Sequence, residues 1–320
     1  MDEPTDFYAF YNRVLRPEIA RVEPLREQTV TTAWVIAILT VIGTVMWIAI
    51  VGRLVGWDST FAFYSCIIPV GIGLMAWDPV KRKYRDAYQL KLVTSIIQRY
   101  NESFEYDRDE AVGEAAFTDC GLFPRYLSSD ERHCRGTDRV SGKIGVTPFE
   151  FSDLDASIQN GKSREQLFKG VFFVADFNKN FSGETFVTSR HAFFSAGPET
   201  PPGEAVTLED PEFESMFATH GSSQIEARYI LSPALMRRIV YFAKQSKRPI
   251  AIAFSGTSMF IAMYNASTKL EPVLWQTLQK PSLFFGIWAN LEFLCGIVNE
   301  MDLNTRIWTK GAPAAEQLPA

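Results

Sequence analysis

Five polar side chains in the middle of the chain are of the types used for acid–base work or ligand binding: Asp176, Arg190, His191, Glu209 and Arg228. Carboxylates move protons, histidine titrates near neutrality, and arginine holds anionic groups through two parallel hydrogen bonds. Asp210, Glu212, Glu214, His220 and Glu226 surround them in sequence. No GxSxG elbow sets a nucleophile on a strand-to-helix turn, so no catalytic residue is assigned and the five stand as ligand-binding candidates. Local structure competes for several of these groups. Asp210 precedes Pro211 as a helix cap should, and Glu212 suits the first turn that follows. His220 is expected at that helix's C-terminus and His191 on a strand surface.

Two other constellations fall short. Gly161-Lys162-Ser163 ends like a phosphate loop, but Ala156 stands where the first glycine is required. His133, Cys134, Cys120 and Asp138 are metal-ligating types, yet no CxxC or HxxxH spacing joins them. Neither a metal nor a cofactor is expected. Four cysteines in 320 residues are too few for a disulfide framework.

What positions these residues is set first by two uncharged stretches. Between Glu27 and Arg53, and again between Asp58 and Asp78, there is no charged residue. Ala33–Val51 spans about 29 Å as a helix, close to the roughly 30 Å hydrocarbon core of a bilayer. Thr60–Trp77 carries Pro69, Gly71 and Gly73, which membrane helices tolerate. The first stretch begins too late, and lacks the small-residue cleavage site, to be a removed signal peptide. Arg13, Arg16, Arg21 and Arg26 precede the pair, and Lys81, Arg82, Lys83, Arg85 and Lys91 follow it, whereas Arg53 alone lies between. The positive-inside rule then puts both termini in the cytoplasm. Lys81, Arg82, Lys83 and Arg85 are the membrane-surface candidates, facing anionic headgroups. Cys120, Cys134 and Cys295 fall in a reducing compartment, as free thiols.

The rest of the chain reads as α+β. Phe7, Phe10, Tyr11, Val14 and Leu15 mark an amphipathic helix ending at Pro17. Tyr84, Tyr88, Leu92, Ile96 and Tyr100 continue the second apolar stretch as a long helix. Strands are expected at Gly142–Phe151, Gln166–Phe177, Glu184–Phe194 and Ala205–Leu208, with 168–177 and 185–194 forming a hairpin across Asn178–Gly183. A helix runs from Asp210 to Gly221, and another from Ser232 to about Lys247. Ile250–Ser255 and Met259–Tyr264 form a second hairpin at Gly256. Leu283–Leu303 is a strongly apolar helix with Glu292 at its centre, which favours a buried soluble helix over a third span. The expected organisation is a cytoplasmic N-terminal segment (1–29), a transmembrane helical hairpin (30–79), an amphipathic linker helix (80–103), a cytoplasmic α+β domain (104–310) and a disordered tail (311–320). The antiparallel hairpins without βαβ alternation exclude a doubly wound sheet. With 22% charged residues and a net charge of −5, and without basic patches interleaved with aromatics, nucleic acid is not an expected partner.

Three blocks, Phe168–Lys179 (FKGVFFVADFNK), Leu208–Glu214 (LEDPEFE) and Ala227–Met236 (ARYILSPALM), resemble in order the signature of the bacterial DUF3137 family. Gly142–Gly145 and Leu270–Pro272 also resemble it, and the resemblance extends over roughly residues 80 to 290. The resemblance implies a bacterial inner-membrane protein with two preceding spans, sometimes encoded beside LemA-type membrane proteins, which are therefore a partner candidate. It carries no catalytic residues. Three functions are open from the sequence: a membrane-anchored, non-enzymatic module binding a protein partner, a lipid- or small-ligand-binding domain at the inner leaflet, and an enzyme using carboxylates or histidine within 176–228. The bilayer itself is an expected partner, and the small residues of the second stretch leave a homo-oligomer open.

Overall fold

The structure is a computed structural model and describes residues 3–55, 64–65, 67–123, 132–160, 163–176, 182–190 and 202–300. The chain divides into two compact units. Unit 1 is Met1–Ile96 with Leu270–Trp288, and unit 2 is Ile97–Lys269 with Ala289–Ala320.

Unit 1 is built from helices. Helix α1 (Glu3–Phe10) passes through a π-turn (Tyr11–Leu15) into α2 (Arg16–Val55). The expected stop at Pro17 does not occur. The Arg16 amide bonds the Tyr11 carbonyl five residues back, so the backbone is already widened where the proline ring enters. Helix α3 (Ile67–Tyr88) continues through a second π-turn (Gln89–Val93) into α4 (Thr94–Tyr100). That agrees with the long helix read to Tyr100. Residues 56–63, between α2 and α3 in the sequence, lie outside the described residues, as does Cys66.

The two helices approach closely. A Cβ on Gly73 would collide with the Thr40 side chain, which would have to shift to admit any larger residue. Trp47 Nε1 donates to Ser65 Oγ at 3.0 Å. As one helix advances from Thr40 to Trp47 the other returns from Gly73 to Ser65, so they run antiparallel. Phe7–Leu54 is long and apolar enough to cross a membrane, and only 11% of its most apolar stretch is buried. Pro281–Asn299 also meets the length and apolarity criterion, with 39% of its stretch buried.

Unit 2 is built on one sheet. Among the described residues nine strands pair antiparallel in the order β1-β2-β3-β4-β9-β8-β5-β7-β6. They are β1 (Glu105–Asp107), β2 (Arg132–Ile144), β3 (Thr147–Asn160), β4 (Ser163–Asp176), β5 (Thr185–Ser189), β6 (Glu204–Ala205), β7 (Phe217–Gly221), β8 (Ile250–Ser255) and β9 (Ser258–Tyr264). Short helices α5 (Glu114–Asp119), α6 (Pro211–Met216) and α7 (Gln224–Ile230) and the longer α8 (Pro233–Ser246) accompany it. The final helix, α9 (Pro281–Glu300), gives its residues through Trp288 to unit 1 and the remainder to unit 2. Along β4, Phe168 and Phe172 pack with Phe117 and Phe123, while Phe173 stacks on Phe149 and Phe151. Period-two alternation puts the two sets on opposite faces, and both are buried. Much of the high phenylalanine content, 25 residues, is therefore core.

Three sequence expectations are corrected. Residues 142–151 are not one strand: the chain turns at Gly145, with φ 61°, and Ile144 pairs with Thr147. The 168–177 and 185–194 strands are not hairpin partners, because β9 and β8 stand between β4 and β5. Asn178–Gly183 has turn chemistry, but a turn does not dictate which edge receives the returning strand. Strands β8 and β9 are buried on both faces at nearly every position, so they belong in the sheet's interior. The helix opened by Asp210 ends at Met216, and His220 lies on strand β7 rather than at a helix C-terminus. The Ser232-capped helix and the Gly256 hairpin form as read.

Candidate functional site

Of the five ligand-binding candidates the structure describes four, Asp176, Arg190, Glu209 and Arg228, and no hydrogen bond or ion pair described for these four joins one to another. Arg190 follows β5 and serves the end of α6. Its Nε donates to the Glu214 carbonyl at 2.7 Å, and its Nη2 meets the Glu214 carboxylate at 3.1 Å. The same carboxylate accepts the Leu208 amide at 2.9 Å. This arginine satisfies helix-end carbonyls that would otherwise lack a partner. Glu209 and Arg228 are exposed, and Arg228 Nη2 donates to the Thr207 carbonyl at 3.5 Å. Asp176 closes β4 opposite Ser258. His191 lies outside the described residues.

The neighbouring acids are structural as well. Asp210 accepts the Glu212 and Phe213 amides, Glu212 pairs with Lys244 at 2.6 Å, and Glu226 accepts the Ser182 amide at 2.8 Å. His220 sits half-buried between Phe186 of β5 and Ala205 of β6. Burial and the Arg190 charge push its pKa down, which keeps the ring neutral at neutral pH. On β2, His133 and Cys134 are consecutive and so point to opposite faces. Burial and nearby acids push the Cys134 thiol up to about 11, away from thiolate reactivity. Cys120, Cys134 and Cys295 are free thiols. Gly161 and Lys162 lie outside the described residues.

A concave, mostly apolar site does form, in unit 1. The irregular segment Leu270–Lys280 returns to the helices as a strap. Its backbone is clamped at four points: Tyr84 Oη donates to the Val273 carbonyl at 2.9 Å, Arg26 Nη1 to the Leu274 carbonyl at 3.0 Å, the Leu278 amide to Glu23 at 2.9 Å, and Tyr11 Oη to the Gln279 carbonyl at 3.0 Å. Glu23 and Arg26 are themselves paired at 2.9 Å and nearly buried. Burial acts to raise the Glu23 carboxyl. Hydrogen bonds from Arg26, Thr277 and Leu278, with the Arg26 charge, outweigh that and hold it below the usual carboxylate range.

The clamp presents Val273, Leu274 and Trp275 beside the helices. They enclose a groove of about 930 Å³ with Ala33, Ile36, Ala37 and Thr40 of α2 and Val70, Gly73, Leu74, Trp77 and Lys81 of α3. Trp275 meets Trp34 edge to face, with ring centroids 6.3 Å apart. The groove runs from uncharged helix at Thr40 and Gly73 toward Lys81 and Glu271. Of the membrane-surface candidates, Lys81, Arg82 and Lys83 are exposed, and Arg85 is half-buried with its Nε shielded. Sequence reading found Lys81 but not the strap, which has no periodicity; only its tryptophan and prolines marked it.

No curated protein matches the chain. The crystal structure of the mycobacterial trehalose monomycolate transport factor A aligns at TM-score 0.33 and 10% identity, covering 64% of this chain and 92% of that one. A likeness at that score carries no argument about fold or function. The family model DUF3137, "protein of unknown function", matches residues 166–303. It takes in the blocks at 168–179, 208–214, 227–236 and 270–272, and leaves Gly142–Gly145 outside. The match over residues 166–303 supports the resemblance to the DUF3137 family read from the sequence blocks.

Proposed function

We propose that the chain is a membrane-anchored, non-enzymatic interaction module. Its two apolar helices cross the inner membrane of a bacterium, and the sheet unit serves a protein partner on the cytoplasmic side. The observation that carries this reading is α2: Ile38, Leu39, Val41, Val45 and Met46 are each more than half exposed, a surface water would not tolerate over such a length. The arginines at positions 13, 16, 21 and 26, ahead of the uncharged stretch, and the basic run Lys81–Arg85 support a cytoplasmic location for both termini. Partner candidates are a neighbouring membrane protein of the LemA type and a second copy of the chain. The test is fractionation with an alkaline wash, followed by protease treatment of intact and opened cells. The full chain is expected to stay in the membrane pellet and to be cut only after opening. Release by the wash overturns the anchor, and cleavage in intact cells overturns the orientation.

The groove in unit 1 favours a second reading, lipid binding at the inner leaflet. Its walls are apolar helix, and tryptophans at positions 34, 77 and 275 gather where interfacial aromatics belong. Flotation of the full chain with vesicles does not test this, since the anchor alone gives flotation. Lipid retained through purification does.

A further inference from the structure

We propose that the unit 1 groove holds one phospholipid whose headgroup carries both a phosphate and an ammonium group; this rests on the lipid-binding reading above. The inner part of the groove, at Ala37, Thr40 and Gly73, belongs to helix segments without charged residues, so it takes an acyl chain. Ile38, Leu39 and Leu74 are exposed alongside, so a chain reaches the groove sideways from the hydrocarbon. From Val70 to Lys81 α3 rises about 16 Å, half of a bilayer's hydrocarbon thickness, which is the depth of one leaflet.

The charged end decides the headgroup. Lys81 and Glu271 both line the groove and are exposed, and neither has an ion-pair or hydrogen-bond partner among the described residues. A headgroup with phosphate alone meets Lys81 but sets a second negative charge against Glu271. A headgroup with phosphate and ammonium satisfies both. Trp275 lines the groove and meets Trp34 edge to face, and indole rings settle at the headgroup boundary of a bilayer. The strap's hydrogen bonds to the helices run through Val273, Leu274, Thr277, Leu278 and Gln279 and do not involve Glu271, so Glu271 is free to change without loss of the clamp.

The experiment places the full chain in bilayer discs containing equal phosphatidylethanolamine and phosphatidylglycerol, releases it into the gas phase, and counts retained lipids by native mass spectrometry. The wild type is expected to keep one phosphatidylethanolamine, favoured about fivefold over phosphatidylglycerol. Glu271→Gln should erase that preference while still retaining lipid. Lys81→Gln should weaken retention of both. Ala37→Trp, on an exposed groove wall, should abolish retention. Equal retention of the two lipids by the wild type, a preference unchanged in Glu271→Gln, or a dimer carrying no lipid would each overturn the proposal. A chain that resists the alkaline wash but keeps no phosphatidylethanolamine defeats this inference alone. A chain released by the wash defeats the membrane reading beneath it.

Discussion

Asp153 and Glu23 are two carboxylates shifted in opposite directions, and the contrast is measurable. Asp153 lies on β3, where it accepts the Thr268 amide at 2.9 Å and its hydroxyl at 2.8 Å. Burial, with the nearby Asp138 charge, outweighs those bonds and raises its pKa from 3.8 to about 6. The folded state therefore holds a proton at a pH where the unfolded state has released it. That contribution is complete below about pH 3.8 and is lost as pH rises through about 6. A shift of this size is worth about 2 kcal/mol after allowance for residual solvation. Asp153→Asn keeps an acceptor for Thr268 and cannot titrate. Denaturant titrations at steps from pH 4 to 7 are expected to show a flatter stability profile than the wild type; an unchanged profile would remove Asp153 as the cause. Glu23 has the reverse sign. Its contribution is present above its ordinary value of 4.5 and is lost as pH falls through its lowered folded value. Glu23→Gln leaves Arg26 nearly buried without its counter-charge and removes the strong acceptor for Thr277 and Leu278. It should cost about 2–3 kcal/mol at neutral pH, read as a lower unfolding midpoint in detergent, and most of that difference should vanish in acid.

At the scale of elements, the contact between α2 and α3 is set by Gly73 against Thr40. Thr40 Oγ1 is held by its bond to the Ile36 carbonyl at 2.7 Å, so it does not swing aside easily. Gly73→Ala should therefore cost about 1–3 kcal/mol by overpacking. In a Thr40→Ala background the nearest obstructions are gone, since the remaining Cβ lies 3.2 Å away, and the same substitution should be nearly neutral. A double-mutant cycle on unfolding midpoints checks this, and equal cost in both backgrounds would refute it. The apolar stretches, the Asp210 and Ser232 caps and the Gly256 hairpin were legible because each signal is local. The sheet order was not. Placing β9 and β8 between β4 and β5 depends on burial of both faces, which pairs residues far apart in sequence. The early stop of α6 was missed for a related reason. Phe217, Thr219 and Gly221 are buried in alternation on a strand, yet Phe213, Met216 and Phe217 also fit a helical face. Arg190 illustrates the limit for the ligand-binding candidates: its type offers an anion-holding group, but its side chain is turned to Glu214, which residue type alone does not show. The strap escaped because backbone carbonyls and an amide make most of its hydrogen bonds, and those groups carry no residue-type signal.

At the scale of the molecule, the chain builds the helices of unit 1 first, completes the sheet of unit 2, and only then supplies the strap that finishes unit 1. Tyr11 and its acceptor Gln279 are 268 residues apart, and Glu23 and Leu278 are 255 apart. Loop closure over such a separation depends only weakly on length, so the arrangement is stable once formed, but it cannot form until the C-terminal part exists. Without the strap, Glu23 and Arg26 lose their partners at Leu274, Thr277 and Leu278, and the groove loses the wall formed by Val273–Trp275. A chain truncated after Lys269 is therefore expected to enter the membrane with its apolar helices intact, yet to keep a loosened cytoplasmic end of unit 1. Limited proteolysis on opened membranes checks this: the arginines at positions 21 and 26 should become cleavable by trypsin in the truncated chain while staying protected, or several-fold slower to cut, in the full one. Co-expression of 270–320 as a separate segment should restore part of the protection, because Tyr84 and Arg26 still offer their hydrogen bonds to the strap carbonyls. Identical cleavage of the full and truncated chains would mean that the strap contributes nothing to the order of unit 1.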